Sequence, residues 1–173
     1  MILTLIGYRA TGKTTLGRIL AERLGWDWID ADVEIERLAG KSIGRIFAED
    51  GERSFRDMEA RVIADLCRRD RLVLAAGGGA PLRPESRKAM REAGKVVWLT
   101  ARPETILARM SADATTAARR PNLTSQEPLQ EIVQLLKSRE PIYEETADFI
   151  IDTEGTTPEA LAEEILEKYK MTP

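Results

Sequence analysis

Gly7-Tyr8-Arg9-Ala10-Thr11-Gly12-Lys13-Thr14 is the stretch on which the fold turns. Before it lies a short apolar run, Ile2 to Ile6, of strand length. After it Leu16, Ile19, Leu20 and Leu24 recur at helical spacing, and Gly25 follows where a C-terminal cap belongs. A glycine, four variable positions, then Gly-Lys-Thr between a strand and a helix is the Walker A pattern in the context it requires. Glycines let successive backbone N–H groups turn toward an anion, and the helix that follows adds its positive end. Gly7, Ala10, Thr11, Gly12, Lys13, Thr14 and Thr15 are thereby candidate contacts to a nucleoside triphosphate, with Lys13 on the outer phosphates and the Thr14 hydroxyl on Mg²⁺. The plainer alternative is a strand-to-helix turn that binds nothing. The motif also leaves open whether a bound triphosphate is hydrolysed, sensed or used to phosphorylate something else.

Working outward, four more apolar runs alternate with helical patterns: Trp28 to Ile29, Leu72 to Ala75, Val96 to Leu99 and Phe149 to Ile151. Such alternation predicts an α/β fold, a parallel sheet sandwiched by helices. Phe55, Met58, Val62, Ile63 and Leu66 share one helical face, and Leu161, Ile165 and Leu166 give the last helix its apolar side. Pro103 and Pro158 suit first-turn positions, the latter behind Thr157 as a cap. Residues 111–126 form a polar, weakly patterned stretch containing Pro121, read as a mobile flap over a site. The 173 residues, 43% of them apolar, fit one compact domain.

Composition removes several function classes. Lys and Arg number 26 against 29 Asp and Glu, so a net charge of -3 supplies no cationic field for nucleic acid or an anionic bilayer. The chain has no histidine, which rules out a His-ligated zinc site, a Ser-His-Asp triad and an imidazole base. Cys67, the single cysteine, has no partner for an internal disulfide and reads as a small buried hydrophobe. The first apolar run is too short to span a membrane and lacks a basic leader. A cytoplasmic setting, no membrane and no nucleic-acid partner are expected. The basic run Arg68-Arg69-Asp70-Arg71 reads as a solvated helix end.

Asp30-Ala31-Asp32 is expected to end the second strand, which would put both carboxylates on one side at the sheet edge where ligands bind. Asp30 is the candidate to hold Mg²⁺ and Asp32 to orient a substrate hydroxyl; alternatively, Asp32 merely caps the next helix. In Gly51-Glu52-Arg53-Ser54-Phe55-Arg56-Asp57-Met58-Glu59, three-residue spacing lets Glu59 fix the Arg56 guanidinium, which could then grip a carboxylate. Gly77-Gly78-Gly79 follows the third strand, where bare backbone admits a ligand or simply makes a tight turn.

Taken in order, these features resemble the shikimate kinases, whose pattern joins a Walker A loop, Asp-x-Asp, Gly-Glu-x-x-Phe-Arg-x-x-Glu and Gly-Gly-Gly. The resemblance extends to Arg120-Pro121, similar to the Arg-Pro of the family's lid, and to Arg139-Glu140-Pro141-Ile142-Tyr143, similar to its Arg-x-Pro-x-Tyr. It implies a three-layer α/β/α P-loop kinase fold with five parallel strands in order 2-3-1-4-5, a substrate-binding region at about 31–61 and a lid at 111–126. It implies that Asp32, Arg56, Gly78 and Arg139 contact shikimate, the two arginines through its carboxylate. Lys13, Thr14 and Asp30 would serve ATP and Mg²⁺, Arg120 would reach the transferring phosphoryl group, and Arg109 and Pro158 would flank adenine. Three departures stand out: Ala10 where a third glycine is common, Asn122-Leu123 after the lid Arg-Pro, and Glu154-Gly155-Thr156 without the basic residues often found near the adenine.

The implied reaction is phosphoryl transfer from ATP to the 3-hydroxyl of shikimate by a monomeric enzyme, with Lys13, Asp32 and Arg120 as the catalytic residues. A kinase of the same architecture acting on gluconate or a nucleoside monophosphate is the rival within the enzyme class. From another class, a binding module that closes on ATP without an acceptor remains open.

Overall fold

The computed structural model describes residues 1–112 and 127–170. Five strands, β1 (Ile2–Ile6), β2 (Asp27–Asp30), β3 (Leu72–Ala75), β4 (Gly94–Thr100) and β5 (Phe149–Asp152), form one sheet. Every pairing is parallel and the order is β2-β3-β1-β4-β5. Each of the five apolar runs lies within one of these strands, and the strand order matches the expectation.

Parallel neighbours need crossovers, and helices supply them: α1 (Lys13–Leu24), α2 (Ala31–Ala39), α3 (Ile43–Leu66), α4 (Pro84–Ala93), α5 (Pro103–Ala112), α6 (Pro128–Thr146) and α7 (Pro158–Lys170). Side-chain alternation along the strands divides the core in two. Ile2, Ile6, Leu72, Leu74, Val96 and Trp98 pack with Ile35 of α2, Phe55 and Ile63 of α3, Met90 of α4 and Tyr143 of α6. Leu3, Leu5, Val73, Val97 and Leu99 face the other way, onto Leu16 and Leu20 of α1 and Leu161 and Ile165 of α7. Fully burying one such aliphatic side chain contributes about 2 kcal/mol, so both layers are held firmly to the sheet.

Local signals end the helices. Gly25 adopts φ 65° and closes α1 with its N–H on Ala21 and Glu22 carbonyls, and Gly40 does the same for α2 at φ 67°. Ser42 caps α3, accepting from Arg45 N at 3.3 Å. Thr157 Oγ1 accepts from Ala160 N at 3.3 Å at the start of α7. Gly51, at φ 82° and ψ 165°, bends α3 near its first third, a conformation that other residues rarely adopt.

Two local expectations need correction. The second strand stops at Asp30, and Ala31 already opens α2, so Asp32 sits on the first helical turn and not on a strand. The cause is capping: Asp30 Oδ1 accepts from Asp32 N at 3.0 Å, so the cap is Asp30 and Asp32 is not one. Likewise α3 ends at Leu66, and Arg68 to Arg71 lie in the turn beyond it. That turn ties down the N-terminus: Asp70 pairs with the Met1 amino group and Arg71 N donates to Met1 O at 3.0 Å. Cys67 caps α3 half-buried against the core, and burial pushes its thiol up to about 11, leaving it unreactive at neutral pH. Among the described residues no helix is long and apolar enough to cross a membrane.

Candidate active site

The phosphate loop leaves the C-terminal end of β1, the central strand, between the ends of β3 and β4. In doubly wound sheets that point of reversal opens a crevice. A cleft of about 940 Å³ occupies it, walled by the run Arg9 to Leu16, by Asp30 and Asp32, and by Gly77, Gly78, Arg109 and Pro158. Gly7 at φ 137° and Gly12 at φ 96° shape the loop, and a Cβ on Gly7 would fall 2.4 Å from Leu99 O. Gly12 provides no side-chain cap to α1, so the N–H groups of its first turn are directed at whatever occupies the cleft. Thr11, buried, ties the loop to itself by donating to Tyr8 O at 2.8 Å.

Lys13 folds back over the loop, donating to Gly7 O at 2.8 Å and Tyr8 O at 2.7 Å. Its ammonium thus lies against the loop's own carbonyls, beside the cleft that it lines. Ala10 takes φ 61°, a left-handed conformation natural to glycine and strained for alanine. The substitution therefore leaves the loop's shape intact at the expense of local strain.

Thr14 and Asp30 meet: the hydroxyl donates to Asp30 Oδ2 at 3.1 Å. Burial, then the neighbouring Asp32 carboxylate, push the Asp30 carboxyl above the usual aspartate range, against the pull of Asp32 N–H, Thr14 and Lys13. A half-buried carboxylate beside a hydroxyl offers two hard oxygens and no nitrogen or sulfur. Among the described residues no cluster of three or more acidic, His or Cys side chains is poised for a metal. This donor set fits Mg²⁺, which keeps waters and takes the rest of its shell from phosphate oxygens.

In the turn after β3, two arginines settle on consecutive glycines. Arg56 Nη1 donates to Glu59 Oε2 at 2.7 Å, with Glu52 3.6 Å from Nη2 and the Phe55 ring 5.1 Å from the guanidinium carbon. Glu59 is 1% exposed, so its charge is held in place by Arg56 and lends the guanidinium a fixed orientation. A Cβ on Gly79 would lie 2.0 Å from Arg56 Nη1, so the arginine rests directly on bare backbone. Arg139, 8% exposed on α6, donates from Nη1 to Gly78 O at 3.3 Å and lies 5.9 Å from the Tyr8 ring centre. The Tyr143 hydroxyl, fully buried, donates to that same Gly78 carbonyl.

The structure thus gathers Lys13, Thr14, Asp30, Asp32, Gly78, Arg109 and Pro158 around one cleft, with Arg56 and Arg139 against its glycine turn. Arg120, Pro121 and Asn122, with most of the expected flap, lie outside the described residues. Three residues escaped the sequence reading. Gly79 was visible within Gly77-Gly78-Gly79, but nothing local marked it as the seat of Arg56. Tyr143 stood in the Arg-x-Pro-x-Tyr segment without an assigned task. Thr153 carried no signal at all: it joins Arg109 only through tertiary contact. Glu154, a departure in the adenine loop, proves to be structural, accepting from Arg102 N at 2.9 Å and Thr105 Oγ1 at 3.2 Å at the start of α5.

Comparison with known proteins agrees with this geometry. The shikimate kinase family profile matches residues 9–170. A shikimate kinase of Rhodopirellula baltica is 43% identical over 164 residues, covering 95% of this chain and 88% of the relative. One of Moorella thermoacetica is 44% identical over 168 residues, covering 97% and 94%. Among solved structures, the shikimate kinase from Acinetobacter baumannii in complex with shikimate superposes with a TM-score of 0.90 at 40% identity, covering 96% of this chain and 91% of that one. With its Walker A loop, paired arginines and glycine turn gathered on one cleft, and matched along nearly its whole length, the chain belongs to the shikimate kinase family.

Proposed function

We propose that this chain transfers the γ-phosphoryl group of ATP to the 3-hydroxyl of shikimate, giving shikimate 3-phosphate and ADP. The observation that carries the assignment is the seating of Arg139 and Arg56 on Gly78 and Gly79, in the turn beside the phosphate loop. Two guanidiniums held on neighbouring glycines suit a carboxylate, which a gluconate or shikimate acceptor carries; the family membership selects shikimate.

The backbone amides from Gly7 to Thr14 cradle the phosphates, and Lys13 exchanges its two carbonyl partners for the β and γ oxygens. Thr14 and Asp30 would hold magnesium, which when bound would neutralise charge on those phosphates. Asp32, two residues beyond Asp30 in the first turn of α2, receives the acceptor hydroxyl and orients it in line with the γ-phosphorus. As the oxygen–phosphorus bond forms and the bond to ADP breaks, the hydroxyl proton passes to Asp32 or to water. Arg120 enters from the 111–126 segment to meet the transferring group, a role that rests on resemblance to the family's lid. Residues 1–173 act as one domain, with the acceptor region at about 31–61.

A coupled assay of ADP release with shikimate, quinate, gluconate and nucleoside monophosphates tests the proposal. Shikimate should be preferred by kcat/KM. Preference for any other acceptor overturns the substrate, and tight ATP binding with no turnover on any of them would favour a binding module.

A further inference from the structure

Arg109, near the end of α5, is held by the edge of its guanidinium. Nη1 donates to Thr153 Oγ1 at 3.0 Å and Ala10 O at 3.3 Å, and Nη2 donates to Thr153 O at 3.1 Å. Thr153, in the loop after β5, is 4% exposed, and its hydroxyl proton is already committed to Thr100 O at 2.9 Å. A hydroxyl has one proton and two lone pairs. Donation to Thr100 therefore turns an acceptor lone pair toward Arg109, and the bond runs in one direction, from α5 through Thr153 to the end of β4. The neighbouring Glu154 repeats the link, binding Arg102 and Thr105 at the other end of α5. Together they staple the loop leading to Pro158 onto α5.

With its edge occupied, Arg109 has its flat face left for the cleft that it and Pro158 both line. A guanidinium face stacks on aromatic rings, and a fixed plane preorganises it to do so. We infer that Thr153 is a positioning residue for the base of the nucleotide: its hydroxyl sets the plane of Arg109 and so the affinity for the purine ring, without touching the reacting phosphates. The inference rests on ATP being the phosphoryl donor proposed above.

The test pairs Thr153→Val, which keeps the branched shape and removes the hydroxyl, with Thr153→Ser, which keeps the hydroxyl. Thr153→Val should raise KM for ATP about tenfold, the loss of one charge-assisted bond, while KM for the acid and kcat at saturating ATP stay near the parent values. Thr153→Ser should return KM for ATP to within about twofold of the parent. Inorganic tripolyphosphate, which has no base, should inhibit the parent and Thr153→Val competitively against ATP with equal strength. An unmoved KM for ATP in Thr153→Val overturns the inference. So does parallel weakening of tripolyphosphate, which would mean that Thr153 acts through Ala10 on the phosphate loop. A common fall in kcat and in both affinities, unrescued by serine, would reduce Thr153 to a structural part and equally overturn it. A parent protein without ATP turnover would sink the donor assignment itself, whereas a parent that turns over with a silent Thr153→Val sinks the inference alone.

Discussion

The proposed phosphate cradle is one unbroken run, Gly7 to Thr14, whose backbone would supply the contacts. The proposed acceptor side draws Asp32 from α2, Arg56 from α3, Gly78 and Gly79 from the turn after β3, and Arg139 from α6. The first depends on local dihedrals: Gly7, Ala10 and Gly12 all sit at positive φ within a few residues. The second depends on contacts between elements far apart in sequence, such as Arg139 with Gly78, 61 residues away. The difference predicts that damage to the loop shows itself in catalysis or local strain, whereas damage to the acceptor side shows itself in recognition of one substrate.

Lys13→Met bears hardest on that contrast. Removing the loop's only ammonium should lower kcat by about 10³-fold or more while circular dichroism stays that of the parent, because Lys13 makes its contacts on the surface of a loop held by Thr11 and by its glycines. Near-parental turnover would contradict the phosphate role.

Next comes Arg139→Ala. Loss of a charged, bidentate-capable donor should raise KM for the acid by about 10²-fold and leave KM for ATP within about twofold. Equal loss on both substrates would break the division between the two halves. Gly79→Ala is the subtler version: a methyl 2.0 Å from Arg56 Nη1 forces that guanidinium off its seat. KM for the acid should rise about tenfold, in line with one weakened charge-assisted bond. An unchanged KM would mean that Arg56 does not meet the acid from the position described.

The smallest effect belongs to the loop. Ala10→Gly should relieve the strain of φ 61°, partly offset by a freer unfolded chain, for a net gain of about 0.5 kcal/mol and about 1–2 °C in Tm. Thermal unfolding of the ligand-free protein measures it. A fall in Tm would show that the Ala10 methyl makes a contact worth more than the strain.

Particular elements show how legible the chain was. Leu72–Ala75 and Ile2–Ile6 were readable to the residue because buried parallel strands are continuous apolar runs between turn signals. The end of β2 was not, because Asp-x-Asp fits a strand edge and a helix cap equally well. Only the bond from Asp32 N to Asp30 Oδ1 decided between them. Arg56 and Glu59 were readable as a pair because three-residue spacing on a helix is a local fact. Their seat on Gly79 was hidden, since it joins α3 to the turn after β3. The same reason conceals Tyr143 on Gly78 and Thr153 on Arg109.

By itself, then, the sequence determined the sheet's strands, the strand–loop–helix of the Walker A stretch and the types of residue that gather at the cleft. These follow from periodicity and from dihedral preferences that act over a few neighbours. Which glycine bears which arginine and which hydroxyl fixes Arg109 were decided only when the crossovers brought distant segments together, whereas the cap of α2 is a local bond between Asp32 N and Asp30 Oδ1. Contact between remote residues is set by packing of the whole sheet and its helices, and no short stretch of chain carries that information.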